Sequence, residues 1–356
     1  MQSEPVEPVK EEKASFLKTA QEKAEEEELE LRNSRTIHWA CRTGDILTFR
    51  QQLKNNSNRV KALLVENDGG IYGDQPLHIA SRYGHVVVVE ELLQAGAPID
   101  ETNDNGNTPL IVACSENQVN VVRFLLANGA NITIKGSQGK TCLHRSCQLP
   151  NGMVAEAILA TSQVNEELVE ERDEQGNSAV HLASESGLCR IVSALLDISA
   201  GSVMSGNVMA WTPLHLASYR GHRDVCQLLL ERGANPVSLG SDSRTCLHQA
   251  IINDHAETCR LLLKRRPDLI YLRDEVLGAS PIHYAAQYGA VKSIPVLMDF
   301  NADMNDYTLV NSYSVMQLAA MAKGIDDKIV EVLHDWQAAL EYRGPIGRCP
   351  LHIAAQ

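Results

Sequence analysis

A short pattern recurs along the chain at intervals close to 33 residues, and this recurrence limits the possible folds more than any other feature. The clearest copies are DQPLHIASRYGH (74–85), AWTPLHLASYRGH (210–222) and ASPIHYAAQYGA (279–290). With the proline position as a marker, copies fall at 36, 76, 109, 142, 179, 213, 246, 281, 315 and 350. The sequence therefore predicts an array of small similar units, each in contact with its neighbours, instead of one large core.

The copy at 210–222 indicates how one unit folds. Thr212 is a good N-cap residue, and Pro213 suits the first helical position, where its missing N–H costs nothing. Gly221 is placed to end this helix in a conformation with positive φ. A second helix with one apolar face is expected over 224–231, closed by Gly233. Because one helix pair cannot bury both of its faces, neighbouring pairs are expected to stack.

The period and the T-P-L-H-x-A pattern resemble the ankyrin repeat, and the match covers about residues 34 to 356. The resemblance implies an all-α solenoid of helix-turn-helix units with short β-hairpin loops. Residues 34–347 would form about nine repeats, and 348–356 would open a truncated tenth, so we expect a longer chain. Residues 1–33 carry ten Glu against five basic residues and are expected to form a disordered or partly helical tail, or an acidic docking helix.

Charge and composition exclude several functional classes. The net charge of −13 argues against a general nucleic-acid binder, which needs a basic face. Nine scattered cysteines without a CxxC spacing are unlike a secreted disulfide framework, and no signal peptide is recognisable. Apolar runs such as Val86–Val89 are far shorter than the roughly 20 residues that cross a bilayer. We expect a cytoplasmic segment without membrane contact of its own.

The stretch GSQGKTCLHRSC (136–147) resembles a phosphate-binding loop followed by a metal-ligand trio. A Walker motif needs a glycine five residues before Gly139, and that position is Ile134. A calcium-loop pattern that begins at Glu101 fails at its twelfth position, which is Val112 instead of glutamate. We therefore predict no catalytic residue, no metal and no cofactor, and we do not expect an enzyme.

The histidines and cysteines follow the repeat. Eight of the twelve histidines occupy the H of the pattern, three more lie seven residues later, and only His334 falls outside. In ankyrin repeats the first histidine links the loops of adjacent repeats, and the resemblance implies this role here. Most cysteines replace proline, threonine or small residues of the pattern, which indicates packing. A redox-sensitive thiol at one or two positions is the open alternative.

In ankyrin repeats partners bind at the hairpin tip before the threonine and at the last exposed positions of the first helix. The resemblance therefore places candidate partner-binding residues at the variable positions of the pattern. These residues are enriched in types that dominate interfaces. They are Tyr72, Arg82, Tyr83, Lys140, Trp211, Tyr219, Arg220, Tyr288 and Tyr313.

Three functions remain open at this stage. The first is a scaffold or adaptor that binds other proteins through the concave face of the solenoid. The second is the cytosolic N-terminal array of a channel similar to transient receptor potential cation channels. The third is an array fused to an enzymatic or ubiquitin-ligase module. Irregular features at Pro150, Pro295 and Gln317 are expected to disturb the solenoid, with Pro295 interrupting a second helix.

Overall fold

A computed structural model describes residues 36–322, 328–336, 338, 349, 350 and 352. The predicted acidic tail, 1–33, lies outside the described residues, as does most of the predicted tenth repeat, 348–356. The chain divides into a first unit that ends at Asn131 and a second unit that begins at Ile132.

The first unit contains three helix pairs, which we number as repeats one to three. The first helices of these pairs pack on one another in chain order. A 3-10 turn and a short helix follow the first pair. The elements are Ile37–Thr43 with Ile46–Asn55, Ser57–Arg59 and Val60–Val65, Pro76–Tyr83 with Val86–Gln94, and Pro109–Ser115 with Val119–Ala127.

The second unit contains six further pairs, repeats four to nine, whose first helices also pack in chain order. The pairs are Cys142–Cys147 with Met153–Leu159, Ala179–Glu185 with Cys189–Ile198, Pro213–Arg220 with Arg223–Glu231, Cys246–Ile252 with Ala256–Arg265, Pro281–Tyr288 with Ser293–Asp299, and Val315–Met321 with Lys328–Asp335. Short elements between them are Ser137–Gly139, Glu166–Glu170, Ala200–Met204 and Pro267–Tyr271. The all-α fold class is confirmed.

A histidine box starts most first helices of the second unit. In repeat six the backbone N–H of Thr212 donates to His215 Nδ1 over 3.1 Å. An Nδ1 that accepts from an N–H carries no proton, so the proton is on Nε2. His215 Nε2 accordingly donates to the Ser238 carbonyl over 3.1 Å, which links repeat six to the next loop. Equivalent links from His144, His181 and His283 confirm the loop-joining role.

A second histidine position links the ends of first helices. His255 Nε2 donates to the Tyr219 carbonyl over 3.0 Å, and its ring lies against Gly221 of the preceding repeat. His85 and His222 make the same bond to the carbonyls of Arg42 and Glu185. These bonds satisfy carbonyls that helix ends leave without an intrahelical partner.

Two details differ from expectation. The tip loops close as turns, each with one backbone N–H to C=O bond, such as the bond from the Asn207 N–H to the Trp211 carbonyl. In the described part of the chain, the antiparallel bridge between Tyr307 and Ser314 is the nearest approach to a β-hairpin.

The prediction that Pro295 interrupts its helix was wrong. This helix begins late, at Ser293, so Pro295 lies in its first turn, where no intrahelical N–H bond is lost.

Repeat nine replaces the box histidine with glutamine without losing the helix start. The Ser314 N–H donates to Gln317 Oε1 over 3.0 Å, and the Gln317 N–H donates to Ser314 Oγ over 3.3 Å. A glutamine amide oxygen therefore performs the capping function of histidine Nδ1.

Candidate protein-binding site

The first helices of the second unit and the tip loops before them place four positions per repeat on one side. One is the residue immediately before the N-cap residue. The other three are the fourth, seventh and eighth residues after the N-cap residue, which lie on the same face of the helix. In repeat six they are Trp211, Leu216, Tyr219 and Arg220. We call this surface of the second unit the inner face.

Trp211 and Tyr219 form the aromatic centre of repeat six. Their ring centroids are 5.7 Å apart, and the indole also lies 6.4 Å from the His215 ring. The indole covers Gly240 of the next repeat, where an added Cβ would lie 2.7 Å from its Cδ1 atom. Both rings stay partly exposed. The pair therefore presents a fixed aromatic surface. The interaction between two packed rings contributes about 0.5–1.5 kcal/mol to stability beyond the effect of the buried area.

Arg220 lies beside this pair and is accessible. Its guanidinium carbon is 5.6 Å from the Tyr219 ring centroid, and Nη2 donates to Glu185 Oε1 over 2.7 Å. Because the arginine side chain is 52% exposed, the ion pair with Glu185 of repeat five contributes little stability. Glu185 therefore holds Arg220 only weakly.

A second aromatic pair lies two repeats further on. The Tyr284 and Tyr288 rings are parallel within 2°, with centroids 6.0 Å apart. Tyr284 is buried and meets the His248 ring edge-on at 4.9 Å, whereas Tyr288 is 41% exposed. Only Tyr288 was predicted from the sequence. Tyr284 occupies a position that holds Leu182 and Leu216 in other repeats, so the repeat pattern indicates a core residue there and no surface role.

Arg244, in repeat seven, contacts the second aromatic pair. Its Nε donates to the Tyr284 hydroxyl oxygen over 3.0 Å, and its guanidinium carbon lies 5.0 Å from that ring's centroid. Burial raises the pKa of Tyr284 to about 12, so the phenol stays protonated at neutral pH. Arg244 also lies 3.6 Å from Asp242. Repeat seven therefore contributes a guanidinium that is held between the Tyr284 phenol and Asp242.

An open pocket adjoins Tyr288 and continues into repeat nine. It is lined by Gln287, Tyr288, Leu318, Met321 and Ala322 and has a volume of about 340 Å³. This is near the lower end of the roughly 300–1,000 Å³ of small-ligand sites. Its walls are mostly apolar, so it suits an apolar side chain of a partner.

Tyr313 and Lys140 are placed differently from the other predicted residues. Tyr313 is half-buried, and its backbone pairs with Thr308 through bonds of 3.0 and 2.9 Å. Lys140 lies on the inner face of repeat four, but only 6% of it is exposed. It therefore adds almost no accessible area to the aromatic surface.

The first unit carries a separate patch of predicted residues. The Arg82 guanidinium lies 5.1 Å from the Tyr72 ring centroid and pairs with Asp74 at 2.6 Å and Glu116 at 2.9 Å. The Tyr83 hydroxyl accepts from Arg42 Nε over 3.0 Å. Tyr72 and Tyr83 are 48% and 41% exposed. Arg82 is thus held by two carboxylates of its own unit.

Six of the nine thiols lie in environments that disfavour nucleophilic chemistry. Burial raises the pKa of Cys147, Cys226 and Cys259 to about 12. It also raises the pKa of Cys41, Cys246 and the partly exposed Cys189. A thiol with a raised pKa supplies little thiolate at neutral pH. No group of three or more metal-ligating side chains occurs among the residues that the structure describes.

Several relatives match parts of this chain. A palmitoyltransferase from Lachancea kluyveri is 27% identical over 239 residues, which cover 59% of this chain and 28% of that protein. An ankyrin and IPT/TIG repeat-containing protein from Schizosaccharomyces pombe is 35% identical over 72 residues, or 20% of this chain and 6% of the relative. A transient receptor potential cation channel subfamily A member 1 homolog from Caenorhabditis elegans is 38% identical over 74 residues, or 21% and 6%.

The matched part spans less than a third of each of these relatives. In the described ranges no helix is long and apolar enough to cross a membrane. A family model described as "Ankyrin repeats (3 copies)" matches residues 37–136, 99–167, 143–239, 200–274 and 235–308, and so reaches across most of the chain. With its histidine boxes and stacked helix pairs, the chain belongs to the ankyrin-repeat family.

Proposed function

We propose that the second unit binds an extended segment of a partner protein along its inner face, and that the chain acts as a scaffold or adaptor. Ankyrin repeats form protein-interaction domains. The observation that carries the finer proposal is the presence of two aromatic pairs, in repeats six and eight, with Arg244 of repeat seven against the second pair. Tyrosine, tryptophan and arginine are the residues that most often dominate interface energies.

The spacing of these groups favours an extended ligand. Adjacent repeats are roughly 10 Å apart when one helix layer separates them, so the aromatic pairs are about 20 Å apart. A segment that rises about 3.3 Å per residue spans this distance with about six residues. Two large side chains about six residues apart would then meet the Trp211 pair and the pocket beside Tyr288.

The remaining parts of the proposal follow from the same surfaces. Tyr313 and the patch of Tyr72, Arg82 and Tyr83 are proposed as additional contacts. The chain would act by binding and not by catalysis, with other proteins as partners and without nucleic acid or cofactor. A cytosolic setting is proposed because the nine cysteines are free thiols.

Peptide capture by single variants tests the inner face. A phage library of random peptides is selected on the purified chain, and the selected peptides are measured by fluorescence polarisation. Trp211→Ala and Tyr288→Ala are each expected to weaken binding about 30-fold or more, since hot-spot truncations cost about 2 kcal/mol or more.

Tyr271→Ala is the matched control for these variants. Tyr271 is 64% exposed, so it is an accessible tyrosine, but it lies in the 3-10 turn Pro267–Tyr271, outside the inner face. Its replacement is expected to leave the affinity unchanged. Peptides that bind equally well to wild type, Trp211→Ala and Tyr288→Ala would contradict the proposal.

A second candidate function is the cytosolic N-terminal ankyrin array of a channel similar to transient receptor potential cation channels. The match of 38% identity to the Caenorhabditis elegans homolog supports it. Sequencing the complete transcript tests it. Six apolar spans of about 20 residues after residue 356 are expected for a channel, and their absence would rule this candidate out.

A further inference from the structure

Two cations on the inner face of repeat four have no carboxylate partner within the described ranges. Lys140 is 6% exposed, and Arg145 is half-buried in the helix that begins two residues later. Neither makes an ion pair with any residue that the structure describes. Arg145 Nη2 donates to the carbonyl and hydroxyl oxygens of Ser137 over 3.1 and 2.7 Å, and its buried Nε finds no acceptor there.

The other cations of the inner face are neutralised. Arg220 pairs with Glu185 at 2.7 Å, and Arg244 lies 3.6 Å from Asp242 and donates to the Tyr284 hydroxyl. A buried charge without a partner is costly and is rarely retained for structural reasons. Lys140 and Arg145 are therefore the exception on this surface.

Two of the three carboxylates that act on Lys140 already have partners of their own. Asp173 accepts from the N–H groups of Gln175 and Asn177 over 3.0 and 2.8 Å. Glu185 forms its surface ion pair with Arg220, at 2.7 Å. Burial lowers the pKa of Lys140, as does the charge of Arg145, while Asp173, Glu185 and Glu174 act in the opposite direction. The nearby carboxylates thus favour the charged form of Lys140, but among the described residues none forms an ion pair with Lys140 or Arg145.

We propose that Lys140 and Arg145 bind a carboxylate of a partner segment, and that this site selects acidic ligands. A carboxylate is favoured over a phosphate because Asp173, Glu174 and Glu185 lie close enough to repel a second negative charge. The guanidinium is already positioned by Ser137, so little side-chain freedom is lost on binding. Charge-assisted bonds of this kind are among the strong ones in proteins.

This site deepens the proposed function and rests on it for the identity of the ligand as a peptide. Repeat four lies two repeats before the Trp211 pair, about 20 Å away by the same helix-layer spacing. An acidic residue about six positions from an aromatic anchor would reach both sites in an extended segment. The inner face would then bind selectively to segments with this pattern of acidic, aromatic and apolar residues.

A stability experiment tests the anion site without any peptide. Lys140→Met removes an unpaired buried charge, so we expect the thermal midpoint of the purified chain to rise by about 2 °C or more. Arg244→Met, at the same position of the repeat, removes a partnered cation and is expected to lower the midpoint. Replacing chloride by acetate at equal ionic strength should stabilise the wild type more than Lys140→Met.

A binding experiment connects the site to the peptide. One fluorescent probe carries two glutamates separated by six Gly/Ser residues from Trp-Leu, and a matched probe carries two glutamines. The glutamate probe is expected to bind the wild type about tenfold to a hundredfold more tightly. Lys140→Met and Arg145→Met should abolish this difference. Lys135→Met, which removes an exposed lysine paired with Glu171, should preserve it.

The outcomes separate this inference from the proposed function. Equal affinity of the two probes, with both losing affinity in Trp211→Ala, would overturn the acidic site and support the groove. An acetate effect specific to Lys140, with neither probe bound, would support the anion site and count against the groove. A larger stabilisation by phosphate than by acetate would overturn the choice of a carboxylate. No acetate effect and no gain in Lys140→Met would overturn the site.

Discussion

At the scale of single residues, several positions satisfy two requirements at once. Gly221 ends the first helix of repeat six with a φ of 76° and also gives room to the His255 ring of the next repeat. A Cβ at this position would lie 2.4 Å from His255 Nδ1. The same glycine therefore serves the backbone of its own repeat and the packing of its neighbour.

Replacing Gly221 by alanine is expected to destabilise the second unit by about 2–4 kcal/mol. The left-handed backbone costs about 1 kcal/mol for a non-glycine residue, and displacing the histidine adds the loss of its bond to Tyr219. Urea unfolding followed by circular dichroism measures the difference.

Gly233→Ala is the matched control for this prediction. Gly233 has a φ of 92°, but nothing lies within 4 Å of an added Cβ. Its replacement should cost only the backbone strain of about 1 kcal/mol. Equal losses in the two variants would show that the contact with His255 contributes nothing.

At the scale of elements, caps decide where helices begin. Asp254 lies in the loop of repeat seven with a φ of 55° and caps the delayed second helix of repeat eight. Its Oδ1 accepts from the Ser293 N–H and hydroxyl, both over 2.8 Å, and Oδ2 accepts from the Lys292 N–H over 3.2 Å. A carboxylate from another repeat thus takes the place of a local N-cap residue.

Asp254→Ala is expected to cost about 2–3 kcal/mol, because it removes the cap and leaves alanine in a left-handed conformation. Asp254→Asn should cost about 1 kcal/mol, since asparagine tolerates that conformation and keeps one acceptor oxygen. Thermal unfolding of both variants measures this order. An alanine variant as stable as the asparagine variant would show that the cap is not needed.

At the scale of the whole molecule, the histidine boxes make stability depend on pH. Burial lowers the pKa of His181 and of His248 from 6.5 to about 4, and it also lowers the pKa of His144, His215 and His283. Well above pH 6.5 both the folded and the unfolded state are neutral at these sites. As pH falls below 6.5 the unfolded state binds protons first, so stability is lost until the folded-state pKa is passed.

The free energy of unfolding is therefore expected to fall steeply between about pH 6.5 and pH 4. His181 and His248 each account for up to about 3 kcal/mol, at about 1.4 kcal/mol per unit of pKa difference. Urea titrations at several pH values in this window measure the slope. His181→Gln should reduce the slope, because it removes a histidine whose pKa is lowered in the folded state. A flat profile from pH 7 to pH 5 would contradict this account.

The sequence by itself determined the repeat, the family, the helix starts and the role of the histidines. These features depend on interactions within a few residues, as between Thr212 and His215, and on a pattern repeated often enough to be recognised. The tertiary structure alone decided which side chains meet across repeats. Tyr284 receives Arg244 from the preceding repeat, and Lys140 is covered but has no carboxylate partner in the part of the chain that the structure describes. Asp254 starts a helix 39 residues away. Such pairs form only when separate repeats stack, so no local spacing in the sequence reveals them.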